Sequence, residues 1–231
     1  MTEFLLAITL FVVAHAVPPA PPVRRRLVSV LGRRLYLTVY SLVSLVLLAW
    51  VISASVRAPL ILLWAPAGWQ WVVPVAAMPL AFWFLVAGLA EANPLSISFR
   101  RRDPAVPLPP IVRITRHPVI WGFLIWAGAH VPPNGDVVSL ILFGGMTALA
   151  AAGIPMLDRR ARQRLGDLQW RELSRTTSVF PFAAVLSGRS GLRVNGPFLH
   201  HAIAGTAAYL WFLLKGHEWL IGVDPLAWLS W

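Results

Sequence analysis

Few side chains in this sequence can hold a metal or move a proton. Six histidines and nine carboxylates stand among 231 residues, and cysteine is absent. No thiol nucleophile, dithiol redox pair or thiolate metal site can be built. Two histidines fall inside apolar stretches. His15 closes one, and His130 closes the run Trp126-Ala127-Gly128-Ala129-His130. An ionisable group in hydrocarbon is costly and tends to be functional, and neutral imidazole binds iron, zinc and copper well. The plain alternative for His15 is a helix-end side chain reaching interfacial water. For His130 it is close packing of small residues between helices.

A third histidine sits in Arg113-Ile114-Thr115-Arg116-His117-Pro118. Proline suits the first turn of a helix, where its missing N–H costs little. Thr115 or His117 is expected to cap that helix. The arginines and free N–H groups there fit an anion, or a lipid phosphate. His117 and His130 are 13 residues apart. On one helix they point about 140° apart and lie about 20 Å apart along the axis, so they cannot share one small metal site. His15 and His130 come from different helices and can meet. Their depths, ~10–14 Å and ~20 Å above the inner interface, suit opposite faces of a porphyrin better than one small ion. His200, His201 and His217 read as solvated helix-end residues. Asn134-Gly135-Asp136 reads as a tight turn whose aspartate caps the following helix.

Long apolar elements must carry these groups. The chain is 58% apolar and 13% charged, with a mean hydropathy of +0.68. That excludes a soluble enzyme domain, a disordered chain and a disulfide-stapled secreted module. A bilayer span needs about 20 apolar residues. Six stretches qualify, three of them only with borrowed flanks: Phe4–Val17, Tyr36–Val56, Trp71–Ala90, Val119–Pro132, Val137–Leu157 and Leu199–Leu214. The net charge of +11 comes almost wholly from arginine. Loop one (18–35) holds five arginines, loop three (91–118) five and loop five (158–198) eight, Arg193 among them. Loops two and four hold only Arg57 and Asp136. This alternation predicts an all-α polytopic bundle of six spans, one domain over residues 1–231, with loops one, three and five in the cytoplasm and both termini outside. Arginines spread over three loops also argue against a nucleic-acid partner and for membrane lipids.

Smaller signals agree. Pro18, Pro19, Pro21 and Pro22 are expected to stop the first helix. Pro104, Pro107, Pro109 and Pro110 are expected to keep loop three extended. The stretch Asp158–Trp170 reads as a helix extension or an interfacial helix. Trp50, Trp64, Trp69, Trp71, Trp121, Trp219, Trp228 and Trp231 read as interface belts. Ala14-His15-Ala16 has the look of a cleavage site, but the early charge is Glu3 rather than a basic cluster, so cleavage is not expected.

Several motifs together resemble the NnrU family of bacterial membrane proteins. They are Arg113–Pro118 followed by Trp121-Gly122, Ile125–His130 with Asn134-Gly135, and Arg175-Thr-Thr-Ser-Val-Phe-Pro181-Phe-Ala-Ala184 ending in Gly188-Arg189. The first span with His15, Gly32-Arg33 and Tyr40–Ser44 fits the same family. The resemblance implies an inner-membrane protein with a role in denitrification or nitric oxide metabolism. Through the related 15-cis-ζ-carotene isomerase, it also implies a haem b enzyme acting on an apolar polyene. His15 and His130 are then the implied iron ligands, with Arg116 and His117 near the propionates. That relative carries a cysteine three residues before the second histidine, where this chain has Ala127. A weaker resemblance, through Arg116-His117-Pro118, is to membrane methyltransferases that use S-adenosylmethionine. A non-catalytic assembly subunit is the remaining reading.

Overall fold

A computed structural model describes residues 1–100, 103, 106–192 and 194–227. Arg101, Arg102, Pro104, Arg193, Trp228 and Trp231, used in the sequence reading, lie outside the described residues. The described residues form helices and no strand, apart from an isolated antiparallel bridge between Leu62 and Asp136. They divide into two compact units. The first is Met1–Trp64 with Asp136–Leu142, and the second is Ala65–Gly135 with the chain from Phe143 onward.

Proline placement sets the first unit. Helix α1 (Thr2–Ala16) ends just before Pro18 and Pro19, as expected. Helix α2 (Pro21–Arg57) then begins at once, with its prolines in the first turn. Loop one is therefore mostly helical and not a connection. Proline at the first helical positions forfeits no hydrogen bond, so the same residues that stop α1 start α2. The break comes later, at Gly32, whose φ of 75° lies outside helical space. The ends of α1 and α2 are tied by Glu3, which accepts from Arg57 at 2.6 Å and from Trp50 Nε1 at 3.2 Å. Phe4 and Ala7 pack on Val51, Ala54 and Val138 beneath that tie.

In the second unit, α3 (Gly68–Ala90) packs against α5 (Pro118–His130) and α9 (Gly196–Trp211). Short α4 (Pro110–Ile114) precedes α5. Glycine sets the spacing at two crossings. A Cβ at Gly122 would sit 2.7 Å from Leu85 Cγ, and one at Gly205 would sit 2.9 Å from Trp83 Cα. Pro79 leaves another mark. It lacks the N–H that would bond Val75 O four residues earlier. The freed carbonyl accepts the Tyr209 hydroxyl of α9 at 2.8 Å. A helix-breaking residue inside an apolar helix is thus satisfied by a neighbouring helix.

Helix α6 (Val137–Leu165) is capped as predicted, with Ser139 N–H donating to Asp136 Oδ1 at 2.9 Å. It contains a π-helical turn at Leu140–Gly144. It runs past the apolar run ending at Leu157, then Gly166 at φ 78° turns the chain into amphipathic α7 (Asp167–Arg175). Both readings of residues 158–170 hold in part: an extension, then a separate helix. Helix α8 (Ala183–Leu186) is a single turn. Helix α9 continues through a second π turn, Phe212–Gly216, into α10 (His217–Ile221).

Helices α2, α3 and α6 are long and apolar enough to cross a membrane. Helices α1 and α5, with 15 and 13 residues, reach only about 22 and 20 Å against a hydrocarbon core of about 30 Å. Leu42, Leu45 and Val46 on α2 are 58%, 61% and 68% exposed. Such faces suit lipid rather than water. The Tyr209–Val75 bond gives a direct test. Tyr209→Phe should cost about 1–2 kcal/mol by leaving a carbonyl unpaired. Adding Pro79→Ala should return most of that loss, because the new N–H takes Val75 O. Thermal unfolding of the detergent-solubilised protein reads both steps.

Candidate functional site

The Arg-His-Pro segment folds into a buried polar corner of the second unit. Thr115 and His117 are fully buried and Arg116 nearly so. Arg116 Nη1 donates to Asp158 Oδ2 at 2.7 Å and its Nε to Thr177 Oγ1 at 3.1 Å. His117 Nε2 lies 3.1 Å from Asp158 Oδ1, and its Nδ1 lies 2.9 Å from Ser96 Oγ. An ionised carboxylate only accepts, so Nε2 carries a proton, and in the neutral ring Nδ1 accepts from the serine. Asn93 Nδ2 donates to Arg116 O. The guanidinium lies 5.5 Å from the Trp170 ring centre. Thr115 Oγ1 and Trp121 Nε1 both donate to Val179 O at 2.8 Å, and Phe182 N–H donates to Ile114 O. The two sequence motifs, Arg113–Pro118 and Arg175–Ala184, are thus two sides of one corner. Phe182 takes a left-handed conformation, φ 64°, to make the closing bond.

Two expectations change here. Neither Thr115 nor His117 caps α5, because both side chains are committed elsewhere. The anion that Arg116 and His117 hold is the chain's own Asp158. Asp158 lies just past the apolar run of α6. Partial burial pushes its carboxyl up, but the His117 bond and the Arg116 charge and bond outweigh that and hold it below the usual carboxylate range.

His130 lies elsewhere in this unit, at the end of α5. It lines an apolar cavity of about 340 Å³, walled by residues that include Met78, Phe82, Phe123, Trp126, Phe143 and Phe212. Its Nδ1 is 2.7 Å from Trp126 O. A carbonyl can only accept, so Nδ1 donates, and in the neutral ring Nε2 keeps its lone pair. The ring stacks on Phe143, centroids 5.1 Å apart. Asn134 Nδ2 caps the helix end on His130 O at 2.7 Å. His15, in the first unit, has the same arrangement: Nδ1 is 2.7 Å from Phe11 O, and the ring rests on Phe11 and Tyr40. Imidazole held through one nitrogen by an outer partner is how proteins orient a metal-binding histidine. His200 is exposed, and His201 Nδ1 lies 3.2 Å from Glu91 Oε1 without hydrogen-bond alignment.

The profile of the NnrU protein family matches residues 3–225. The chain belongs to the NnrU family. It is also similar to two curated plant proteins. It is 38% identical over 82 residues to a chloroplastic 15-cis-zeta-carotene isomerase of Arabidopsis thaliana, and 39% identical over 82 residues to that of Zea mays. Each alignment covers 36% of this chain and 22% of the plant protein, so the chain matches about a fifth of those relatives' length. No solved structure matches it.

Within this NnrU chain, the sequence alone singles out His15, Arg116, His117 and His130. It misses Asp158, Ser96, Asn93 and Thr177. Asp158 had a signal: it is the first charge after the charge-free run 137–157 and it opens an arginine-rich segment. Removing it leaves the Arg116 charge without its partner. Asp158→Asn should therefore cost about 3 kcal/mol in thermal unfolding. The sign with pH follows from the depressed carboxyl. Its contribution is complete above the ordinary carboxylate range and is lost on acidification through the lowered value. The variant should lose that acid-side slope.

Proposed function

We propose that this protein is an integral membrane isomerase of polyenes that uses haem b, with His130 and His15 as the iron ligands. The observation that carries the reading is the apolar cavity with a tautomer-fixed imidazole in its wall. The similarity to the plant isomerases over 82 residues supports it. The donor chemistry fits: each histidine keeps Nε2 as a Lewis base, and its Nδ1–H is held by a carbonyl. Bound haem would supply an iron centre able to act on a conjugated double bond.

The chain's own residues do the rest. Phe82, Phe123, Trp126 and Phe143 hold an apolar chain by dispersion and exclude water. Met78 and Leu213 extend the wall with flexible groups. Arg116 and His117 act as positioning residues, because their bonds to Asp158 fix the start of the helix that ends in His130. Those bonds also weigh against the methyltransferase reading, which needs both side chains to face S-adenosylmethionine. One residue favours a second reading. Ala127 stands where the isomerase family has cysteine, so thiolate exchange is unavailable. A haem protein acting in nitrogen-oxide metabolism needs no such exchange.

The topology belongs to the same proposal: six crossings of a bacterial plasma membrane, with both termini outside. The absence of cysteine makes it testable with single introduced cysteines. Pro19→Cys and Ser187→Cys should be shielded from an impermeant maleimide in intact cells, and Gly135→Cys should react. For the activity, purified protein should give the Soret band of a low-spin, six-coordinate iron on adding hemin, lost in His15→Ala/His130→Ala. Cells accumulating a tri-cis carotene should change their isomer profile on expressing it. A spectrum without that profile change selects the nitrogen-oxide reading, and neither result leaves no haem function.

A further inference from the structure

The cavity in the second unit has a second imidazole. His217, at the start of α10, lines the same cavity as His130. Its Nδ1 is 2.7 Å from Val223 O, so Nδ1 donates there and, in the neutral ring, Nε2 carries the lone pair. The bond depends on a turn. Gly222 takes φ 81° after α10 and swings Val223 back over the helix end. The ring packs edge-on against Phe212 at 5.6 Å, and Phe212 is itself a cavity wall. No described residue bonds Nε2 of either histidine. The hydroxyl of Tyr209, which also lines the cavity, donates to Val75 O.

The cavity therefore offers two fixed Lewis bases, and the rest of its lining is almost wholly apolar. A bare, hydrated cation would need oxygen ligands or water that such a wall does not supply. A metal already held by a macrocycle needs only imidazole from the protein to complete its coordination. We infer that His217 is a second imidazole donor of this cavity beside His130, able to replace His15 as a ligand to a bound haem iron. This rests on the haem reading above.

The test is spectroscopic and needs no turnover. Hemin is added to the detergent-purified wild type, His15→Ala, His217→Gln and His15→Ala/His217→Gln proteins, and spin state is read by absorption and electron paramagnetic resonance. Elution volume and thermal midpoint confirm that each variant is folded. The expected result is a low-spin, six-coordinate iron in His15→Ala that becomes high-spin only in the double variant. A high-spin iron in His15→Ala, with His217 intact, overturns the inference and leaves the haem reading standing. A double variant that stays low-spin also overturns it. Wild-type protein that takes up no hemin overturns the haem reading and this inference together.

Discussion

A single carboxylate holds the polar corner of the second unit. Asp158 takes one oxygen to a guanidinium and the other to an imidazole. Both cationic-capable groups are buried, with side-chain exposures of 10% for Arg116 and 0% for His117. Burying an arginine without a partner costs several kcal/mol, and a paired, hydrogen-bonded one costs far less. Through Ser96, Thr177 and Asn93 the corner also ties down the chain after α3 and the chain after α7. Helix α5 leaves from this corner, so the position of everything along it, His130 included, is fixed from its first residue.

Farther along, packing follows a different rule. The helices are apolar on several sides, so water does not drive them together. What remains is close approach and the satisfaction of backbone groups. Gly122 and Gly205 permit the first. Pro79 creates the need for the second, which Tyr209 meets. Where the regular ladder is interrupted, space opens. Phe143 and Phe212 both reach the cavity from π-helical turns, at Leu140–Gly144 and Phe212–Gly216. An extra residue in a turn re-aims side chains, and such turns are frequent at functional sites.

Much of this was legible from residue types. Hydropathy placed α2, α3 and α6, and the Asn134–Asp136 turn with its cap follows from turn chemistry. The end of α1 at the proline cluster does too. The start of α2 at Pro21 reads as loop in the sequence, because proline's two roles, ending one helix and opening the next, look alike there. The histidines at 15 and 130 stand out because a lone polar group in an apolar run is conspicuous. Most residues around Arg116 were not legible for the opposite reason. Asp158 stands out as the first charge after a long apolar run, but Ser96 and Thr177 come from separate polar stretches, where nothing local separates a buried partner from a solvated one. His217 hid in the same way: its role depends on Gly222 reversing the chain, a tertiary consequence of one backbone angle.

The way the imidazoles are oriented fits this environment. Many metal-binding histidines lean on a carboxylate. In a cavity walled by tryptophan and phenylalanine a second charge would be expensive to bury. His130 leans instead on the carbonyl four residues back, on Trp126, and His15, in the first unit, leans likewise on Phe11. A carbonyl has two lone pairs, so one accepts the side chain while the other serves the helix. The tautomer is thus set at no cost in charge. A histidine placed in the last turn of an apolar helix, with an aromatic ring one turn behind it, already contains its own orienting partner. That local economy lets an almost wholly apolar wall present a Lewis base from the last turn of α5.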